Sequence, residues 1–156
     1  MSTFCVVVIF LLEVGFWSYP TIPYYQNFIS YASGNISKLE HDNYFPSALD
    51  RNRKIASYLR QRTSVDEKVF VWGEEPAIYD LADRVPVGKY IVSFHIRDFP
   101  DGYEDTYTAL TSYMPPYIVV IPHQVPSFPK LEALIQTNYI RVEEVDDAVI
   151  YKLIKH

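Results

Sequence analysis

Five polar side chains in the second half of the sequence follow apolar runs and are of types that could bind a metal ion or a polar ligand. They are Glu74, Glu75, His95, Asp98 and His123. Carboxylates and imidazoles are common zinc ligands in proteins. Their spacing matches neither H-E-x-x-H nor a comparable ligand motif, and side chains of this kind are more often solvated loop residues. We therefore predict no metal site.

The elements that must position these side chains are strands. Runs rich in β-branched and aromatic residues cover 68–72, 89–94 and 117–121, and each has the length of a buried strand. Ligands of open α/β sheets bind beyond the carboxyl ends of the strands. We therefore expect the loops after these three strands to meet at one edge of a sheet.

Helices are predicted between the strands. Apolar residues at helical spacing predict them over 47–62, 104–113 and 127–137, with a short helix from Pro76. Two last strands, 139–145 and 148–154, are separated only by Asp146-Asp147, which predicts an antiparallel hairpin at the sheet edge. This alternation predicts an α/β fold, a Rossmann-like three-layer sandwich with a mostly parallel sheet that ends in the hairpin.

The first 19 residues form a different kind of segment. The run FCVVVIFLLEVGFW, from Phe4 to Trp17, is apolar apart from Glu13 and Gly15. It is shorter than the ~20 residues that span a bilayer as a helix, so we predict a truncated transmembrane segment over 1–19. A buried core helix and a signal peptide are the alternatives, but a signal peptide would need a basic start and a small-residue cleavage site.

Two further segments complete the predicted organisation. Residues 20–46 read as a juxtamembrane connector, whose many aromatic rings resemble the belt of side chains at a membrane interface. Residues 47–156 form the α/β domain. The connector contains the glycosylation sequon Asn35-Ile36-Ser37, which favours an extracytoplasmic position.

Composition and motifs exclude several classes of function. The net charge of -5 argues against binding to nucleic acid, which needs a surplus of Lys and Arg. The 5 glycines form neither G-x-G-x-x-G nor a P-loop, so we predict no nucleotide and no other cofactor. A G-x-S-x-G nucleophile elbow is missing as well. The lone Cys5 cannot form an internal disulfide.

Several stretches of the sequence together resemble the C-terminal part of bacterial membrane glycosyltransferases of the GT-C type. They are DRNRKIASYL at 50–59, VFVWG at 69–73, PAIY at 76–79, Arg84, Pro86, Tyr90 and PYIVV at 116–120. The chain is similar to protein mannosyltransferases of family 39 and to lipid A aminoarabinose transferases. The resemblance covers the whole chain, with the apolar start matching the last transmembrane helix.

The resemblance implies a part of an enzyme that transfers a sugar from a polyprenyl-phosphate carrier on the extracytoplasmic side of a membrane. The acidic catalytic residues of such enzymes lie in their first extracytoplasmic loop, which has no counterpart here. We therefore expect no catalytic residue in this chain and no activity of the chain alone. Its expected partners are membrane lipid and, through the rest of the enzyme, the sugar donor or the glycan acceptor.

We expect a contact surface for sugar at the loop edge of the sheet. Aromatic rings stack on sugar rings, and carboxylates accept hydrogen bonds from sugar hydroxyls. Its candidate residues are Trp72, Glu74, Glu75, Tyr79, Arg84 and His95. Arg84 could instead form a salt bridge at a helix end. Two other classes remain open: a stand-alone membrane-anchored interaction module, and a small soluble α/β enzyme whose first segment is part of the core.

Overall fold

The computed structural model describes residues 21–44 and 48–154, together with positions 6, 10 and 13. It divides the chain into two compact units, Met1–Ser47 and Ala48–His156. Across the described residues, no helix has both the length and the apolar character needed to cross a bilayer. The predicted membrane segment 1–19 lies outside the described residues apart from the three single positions.

The described part of the first unit contains two helices, α1 (Thr21–Ala32) and α2 (Lys38–Asn43). Gly34 turns the chain between them with a φ of 77°, a conformation that glycine adopts without steric cost. Ser37 then begins α2 with a capping box, in which its hydroxyl accepts from the amide of Glu40 and the Glu40 carboxylate accepts from the amide of Ser37. The connector is therefore partly helical.

The second unit is an α/β domain with a four-stranded mixed sheet in the order β1-β2-β4-β3. Its elements are α3 (Ala48–Arg60), β1 (Phe70–Trp72), α4 (Ala77–Ala82), α5 (Ser93–Asp98), α6 (Gly102–Tyr113), β2 (Tyr117–Val120), a 3-10 turn (Pro122–Gln124), α7 (Pro129–Asn138), β3 (Tyr139–Val145) and β4 (Ala148–Leu153). Strands β1 and β2 are parallel, whereas β4 is antiparallel to both β2 and β3.

Neighbouring residues of a strand point to opposite faces of a sheet. Both faces of this sheet carry apolar side chains, and helices cover both of them. On one face, Val71 and Val119 pack with Ile55 and Leu59 of α3 and with residues of α4. On the other face, a second buried cluster joins the sheet to α5, α6 and α7. It contains Phe70, Trp72, Ile96, Leu110, Ile118, Leu131 and Ile135. The sheet therefore separates two apolar cores.

Most of the predicted elements are confirmed. The helices predicted over 47–62, 104–113 and 127–137 correspond to α3, α6 and α7, and the short helix after Pro76 is α4. The predicted hairpin is present as β3 and β4, with Asp146 at the turn in a left-handed conformation (φ 54°). Polar β3 forms the outer edge of the sheet and exposes Arg141, Glu143 and Glu144, which discourages pairing with another chain.

The strand predicted over 89–94 is wrong. The chain passes the edge of β1 earlier, where the amide of Val69 donates to the carbonyl of Val85 at 3.1 Å and the amide of Val87 donates to the carbonyl of Val69 at 3.0 Å. Gly88 then turns the chain with a φ of 80°. Helix α5 begins at Ser93 instead, and local β-propensity gives way to this tertiary arrangement.

The sheet is consequently mixed rather than mostly parallel. Within residues 48–154, only β1 and β2 form a parallel pair of strands, and the other two strand pairs are antiparallel. After β1 the chain adds only one isolated parallel bridge, between Val69 and Pro86, in place of a further strand. The hairpin supplies two of the four strands of the sheet. The antiparallel hairpin therefore makes up a larger part of the sheet than the sequence pattern predicts.

Candidate functional site

Helix α5 lies directly beside the loop that follows β1. The amide of Ser93 donates to the carbonyl of Gly73 at 3.0 Å, and the Ser93 hydroxyl donates to Oε1 of Glu74. Ser93 and Ile96 are buried and hold the inner side of α5 against the domain. Gly73 itself lies so close to Ile121 that a Cβ there would stand 2.9 Å from the Ile121 side chain. These contacts fix α5 at the carboxyl end of the parallel strands.

Four rings form a continuous cluster on and around the outer side of α5, which we call the aromatic patch: Tyr90, Phe94, His95 and Phe99. The rings of Phe94 and His95 are 4.2 Å apart, those of His95 and Phe99 are 5.9 Å apart, and Tyr90 stacks on Phe99 at 5.6 Å. Phe94 and Phe99 remain 41% and 51% exposed. Large apolar rings left in water in this way are typical of a binding surface.

Charged groups border the aromatic patch. Nε of Arg97 lies 2.6 Å from Oδ1 of Asp98, and this hydrogen bond holds the pKa of the Asp98 carboxyl below its usual range, with a smaller contribution from His95. The hydrogen bond to Asp98 also raises the pKa of the Arg97 guanidinium, and the charge of Glu74 adds to this shift. Asp98 is therefore an ionised hydrogen-bond acceptor near neutral pH. Rings beside acceptors suit a ligand with an apolar face and hydroxyl donors.

A second polar cluster lies at the same strand ends but faces α3. Arg51 is only 6% exposed and lies between two carboxylates, with Nη2 at 2.6 Å from Glu75 and Nη1 at 2.5 Å from Asp147. The side-chain amide of Asn52 donates to the second oxygen of Glu75 at 2.7 Å. We call Arg51, Asn52, Glu75 and Asp147 the arginine cluster. It ties α3 to the loop after β1 and to the hairpin turn.

The electrostatics of the arginine cluster indicate a structural role. The hydrogen bond from Arg51 is the main cause that lowers the pKa of the Asp147 carboxyl, and the nearby imidazole of His123 adds to it. Partial burial of Asp147 opposes the shift. Asp147 is therefore ionised near neutral pH and is unsuited to donate a proton as a general acid.

Three of the predicted site residues are buried in the domain instead of lining its surface. Trp72 is 2% exposed and packs against the ring of Phe128 at a centroid distance of 5.4 Å. The phenol of Tyr79 accepts from the amide of Val71 at 2.8 Å, and burial raises its pKa. These two rings therefore offer no stacking face to a sugar.

Arg84 is the third buried residue. Its guanidinium donates to the hydroxyl of Thr63 at 2.7 Å and to the carbonyls of Thr63 at 2.6 Å and Asp83 at 2.7 Å. It joins the end of α4 to the loop after α3 through neutral oxygens. Within the described residues Arg84 does not make the salt bridge that the sequence allowed for it.

The remaining predicted residues separate into the two clusters. Glu74 and His95 belong to the side of α5 and the aromatic patch, whereas Glu75 belongs to the arginine cluster. In residues 21–44 and 48–154, no three His, Cys, Asp or Glu side chains are grouped so that they could hold a metal ion. The five polar side chains after the predicted strands therefore do not converge on one site.

A small cavity lies near the aromatic core of the sheet. It has a volume of about 180 Å³ and is lined by Trp72, Val120 and Tyr151 of the sheet and by Leu131 and Ile135 of α7, among others. Ligand pockets usually measure about 300–1,000 Å³. We therefore place the candidate contact surface at the aromatic patch and not in this cavity.

The sequence pattern did not point to the residues that matter most at these two clusters. Phe94 and Tyr90 were assigned to a strand that is not formed, and Phe99 was given no role. The stretch that ends in His95-Ile96-Arg97-Asp98-Phe99 has apolar residues at helical spacing. This spacing is the signal that predicts α5. The sequence does not show that Arg51 is buried, because an arginine in a helix has the same sequence pattern whether it is buried or exposed.

Comparison with known proteins adds no neighbour to this description. No family model, no curated protein sequence and no solved structure matches the chain.

Proposed function

We propose that this chain is the C-terminal, non-catalytic part of a membrane glycosyltransferase of the GT-C type that uses a polyprenyl-phosphate sugar. In this proposal the α/β domain is a Rossmann-like sandwich on the extracytoplasmic side, and segment 1–19 belongs to the last transmembrane helix. The domain contacts the sugar donor or the glycan acceptor of the enzyme and supplies no catalytic residue. Its partners are membrane lipid and the rest of the enzyme, and it binds neither nucleic acid nor nucleotide.

The aromatic patch is the observation that carries the role in sugar contact. Phe94 lies on α5 and Phe99 directly follows its last residue, Asp98, whose ionised carboxylate is 57% exposed. An aromatic ring stacks on the apolar face of a hexose or pentose, while carboxylates accept hydrogen bonds from its hydroxyls. The patch therefore replaces the contact surface that the sequence placed around Trp72 and Tyr79.

The residues behind the resemblance support an accessory role. Arg51, Asn52, Tyr79 and Arg84 all lie in the resembling stretches, and each forms hydrogen bonds that join α3, β1, α4 or their loops. Side chains engaged in holding a fold together are poorly placed to act on a substrate. We infer that these motifs specify the fold of a domain whose chemistry is carried out elsewhere in the enzyme.

Saturation-transfer NMR on the full chain in lipid nanodiscs tests the sugar contact. The probes are methyl mannoside, methyl arabinoside and mannosyl phosphate on a short polyprenyl chain. We expect transfer to the ring protons of at least one probe. The double variant Phe94→Ala and Phe99→Ala should weaken that binding by about thirtyfold, since each of the two stacked rings contributes about 1 kcal/mol.

The matched control is Ile140→Ala, which removes another exposed apolar side chain from the same domain and should leave binding unchanged. If no probe receives saturation from the wild-type chain, the domain does not contact sugar. Equal binding by the double variant and the control would instead show that the aromatic patch is not the contact surface.

A further inference from the structure

Helix α1 carries a broad apolar face that lies open to solvent. On a helix of 3.6 residues per turn, its large apolar side chains occupy about half of the circumference. The exposed ones include Ile22, Tyr25, Phe28, Ile29 and Tyr31, of which Ile22 and Ile29 are more than 60% exposed. The sequence of the helix, TIPYYQNFISYA, contains no charged residue. An apolar surface of this kind requires a partner.

The opposite side of α1 is polar and is partly occupied by α2. Gln26, Asn27 and Ser30 follow one another at helical spacing on that side. The amide of Asn27 donates to the carbonyl of His41 at 3.1 Å, and the ring of His41 stacks on Tyr31 at 4.6 Å. Helix α2, with the sequence KLEHDN, thus provides charged groups on one flank of α1. The two helices together form an element that is charged on one side and aromatic on the other.

We propose that α1 lies flat in the interface of a lipid bilayer, with Tyr25, Phe28 and Ile29 at the boundary between headgroups and acyl chains. Only three residues separate Trp17, the end of the apolar run, from Thr21, the start of α1. The four Cα–Cα steps from Trp17 to Thr21 reach at most about 14 Å when extended. Helix α1 therefore begins close to the end of the apolar run. The inference rests on the proposed seating of residues 4–17 in lipid, and it is independent of glycosyl transfer.

The side chains of α1 determine which bilayer it binds. Tyrosine and phenylalanine favour the interface because a ring is buried while a phenol hydroxyl stays at headgroup level. The helix has no Lys or Arg that would attract anionic lipid. Burial of apolar surface is therefore its driving force, and its insertion should respond to neither anionic lipid content nor salt.

Spin-label accessibility on the full chain tests the proposal directly. In a Cys5→Ser background, Phe28→Cys and Gln26→Cys each place one nitroxide on α1, on the apolar and the polar side respectively, because residues two apart lie on opposite sides of a helix. The protein is reconstituted in phosphatidylcholine vesicles, with and without 30% phosphatidylserine added as a probe. We expect the label at position 28 to be accessible to oxygen and shielded from a water-soluble nickel reagent, and the label at position 26 to show the reverse in both vesicles.

Three results would overturn the inference. The label at position 28 would be open to the nickel reagent if α1 lay in water, and shielded from both reagents if the apolar face were packed against protein. Equal oxygen access at positions 26 and 28 would indicate a helix immersed in lipid on all sides. Vesicle flotation of the same samples separates the claims, because a chain that does not float removes the lipid seating of residues 4–17 as well.

Discussion

A buried guanidinium is tolerated when its charge and its hydrogen-bond donors are both matched, and Arg51 meets both conditions. Its partners Glu75 and Asp147 come from two different loops, so the arginine joins three segments of the chain. The substitution Arg51→Met would remove the cation that the partly buried carboxylates of Glu75 and Asp147 share. We expect it to lower the free energy of unfolding by about 2–3 kcal/mol, measured by urea denaturation.

Lys54→Met is the matched control for this substitution on the same helix. Lys54 pairs with Asp50 one turn away, but both side chains are more than half exposed. Exposed pairs of this kind contribute little, so the unfolding midpoint should stay that of the wild type. Equal effects of Arg51→Met and Lys54→Met would contradict the structural role of the arginine cluster.

Asp147 makes a prediction about pH. Its pKa in the folded domain is lowered from the ordinary value of 3.8, mainly by Arg51. A lowered carboxyl pKa contributes stability that is fully present above the ordinary value and is lost as the pH falls through the folded pKa. The free energy of unfolding should therefore fall with decreasing pH below about 4, and Asp147→Asn should flatten that part of the curve.

Asp146→Asn provides the comparison for Asp147→Asn. It removes the same charge at the neighbouring turn position, and asparagine tolerates the left-handed conformation found there. The acid limb of its stability curve should match the wild type. If Asp146→Asn flattened the curve as much as Asp147→Asn, the effect would reflect net charge and not the bond to Arg51.

At the level of elements, the contact between α5 and α6 depends on a glycine. A Cβ at Gly102 would stand 2.2 Å from the carbonyl oxygen of Ile96, which is backbone and cannot move alone. At Gly73 the corresponding contact is 2.9 Å from the end of the Ile121 side chain, which can rotate. We expect Gly102→Ala to destabilise the domain by about 2–3 kcal/mol and Gly73→Ala by less, measured by thermal unfolding. The reverse order would contradict the packing of α5 on α6.

Sequence patterns predicted the elements whose partners are local or whose signals are strong. The apolar stripe of α3, the fully apolar β2 and the hairpin around Asp146-Asp147 all have the periodicity of the structures they form. Helix α5 was missed because its apolar and aromatic residues also have high β-propensity. Its position is set by the bond from Ser93 to Gly73, twenty residues away, and no local pattern reports such a contact.

The candidate site was harder to predict than the fold for a related reason. A sequence does not show whether an aromatic ring points outward, and Trp72 at the end of β1 and Tyr79 in α4 both point into the cores. Glu74 and Glu75 are neighbours in sequence, yet they bond to Ser93 and Arg51 in different clusters. The exposed Phe94 and Phe99 become a candidate surface only once α5 is recognised as a helix.

For the molecule as a whole, we expect the α/β domain to lie on the extracytoplasmic side of a membrane. Ser112 is exposed on α6, so Ser112→Cys in a Cys5→Ser background offers one reactive thiol. A membrane-impermeant maleimide should label this thiol in intact spheroplasts as strongly as in permeabilised ones. Labelling that requires permeabilisation would place the domain on the other side and contradict the extracytoplasmic assignment.

We propose that this chain belongs to a larger membrane glycosyltransferase, and the size and sequence of the native polypeptide test this proposal most directly. Antibodies against the α/β domain would isolate the protein from detergent-solubilised native membranes for peptide sequencing by mass spectrometry. We expect a polypeptide much larger than 18.2 kDa, with peptides from further apolar helices and from an early loop that contains Asp and Glu. A native product of 18.2 kDa that begins at Met1 and copurifies with no such polypeptide would contradict it.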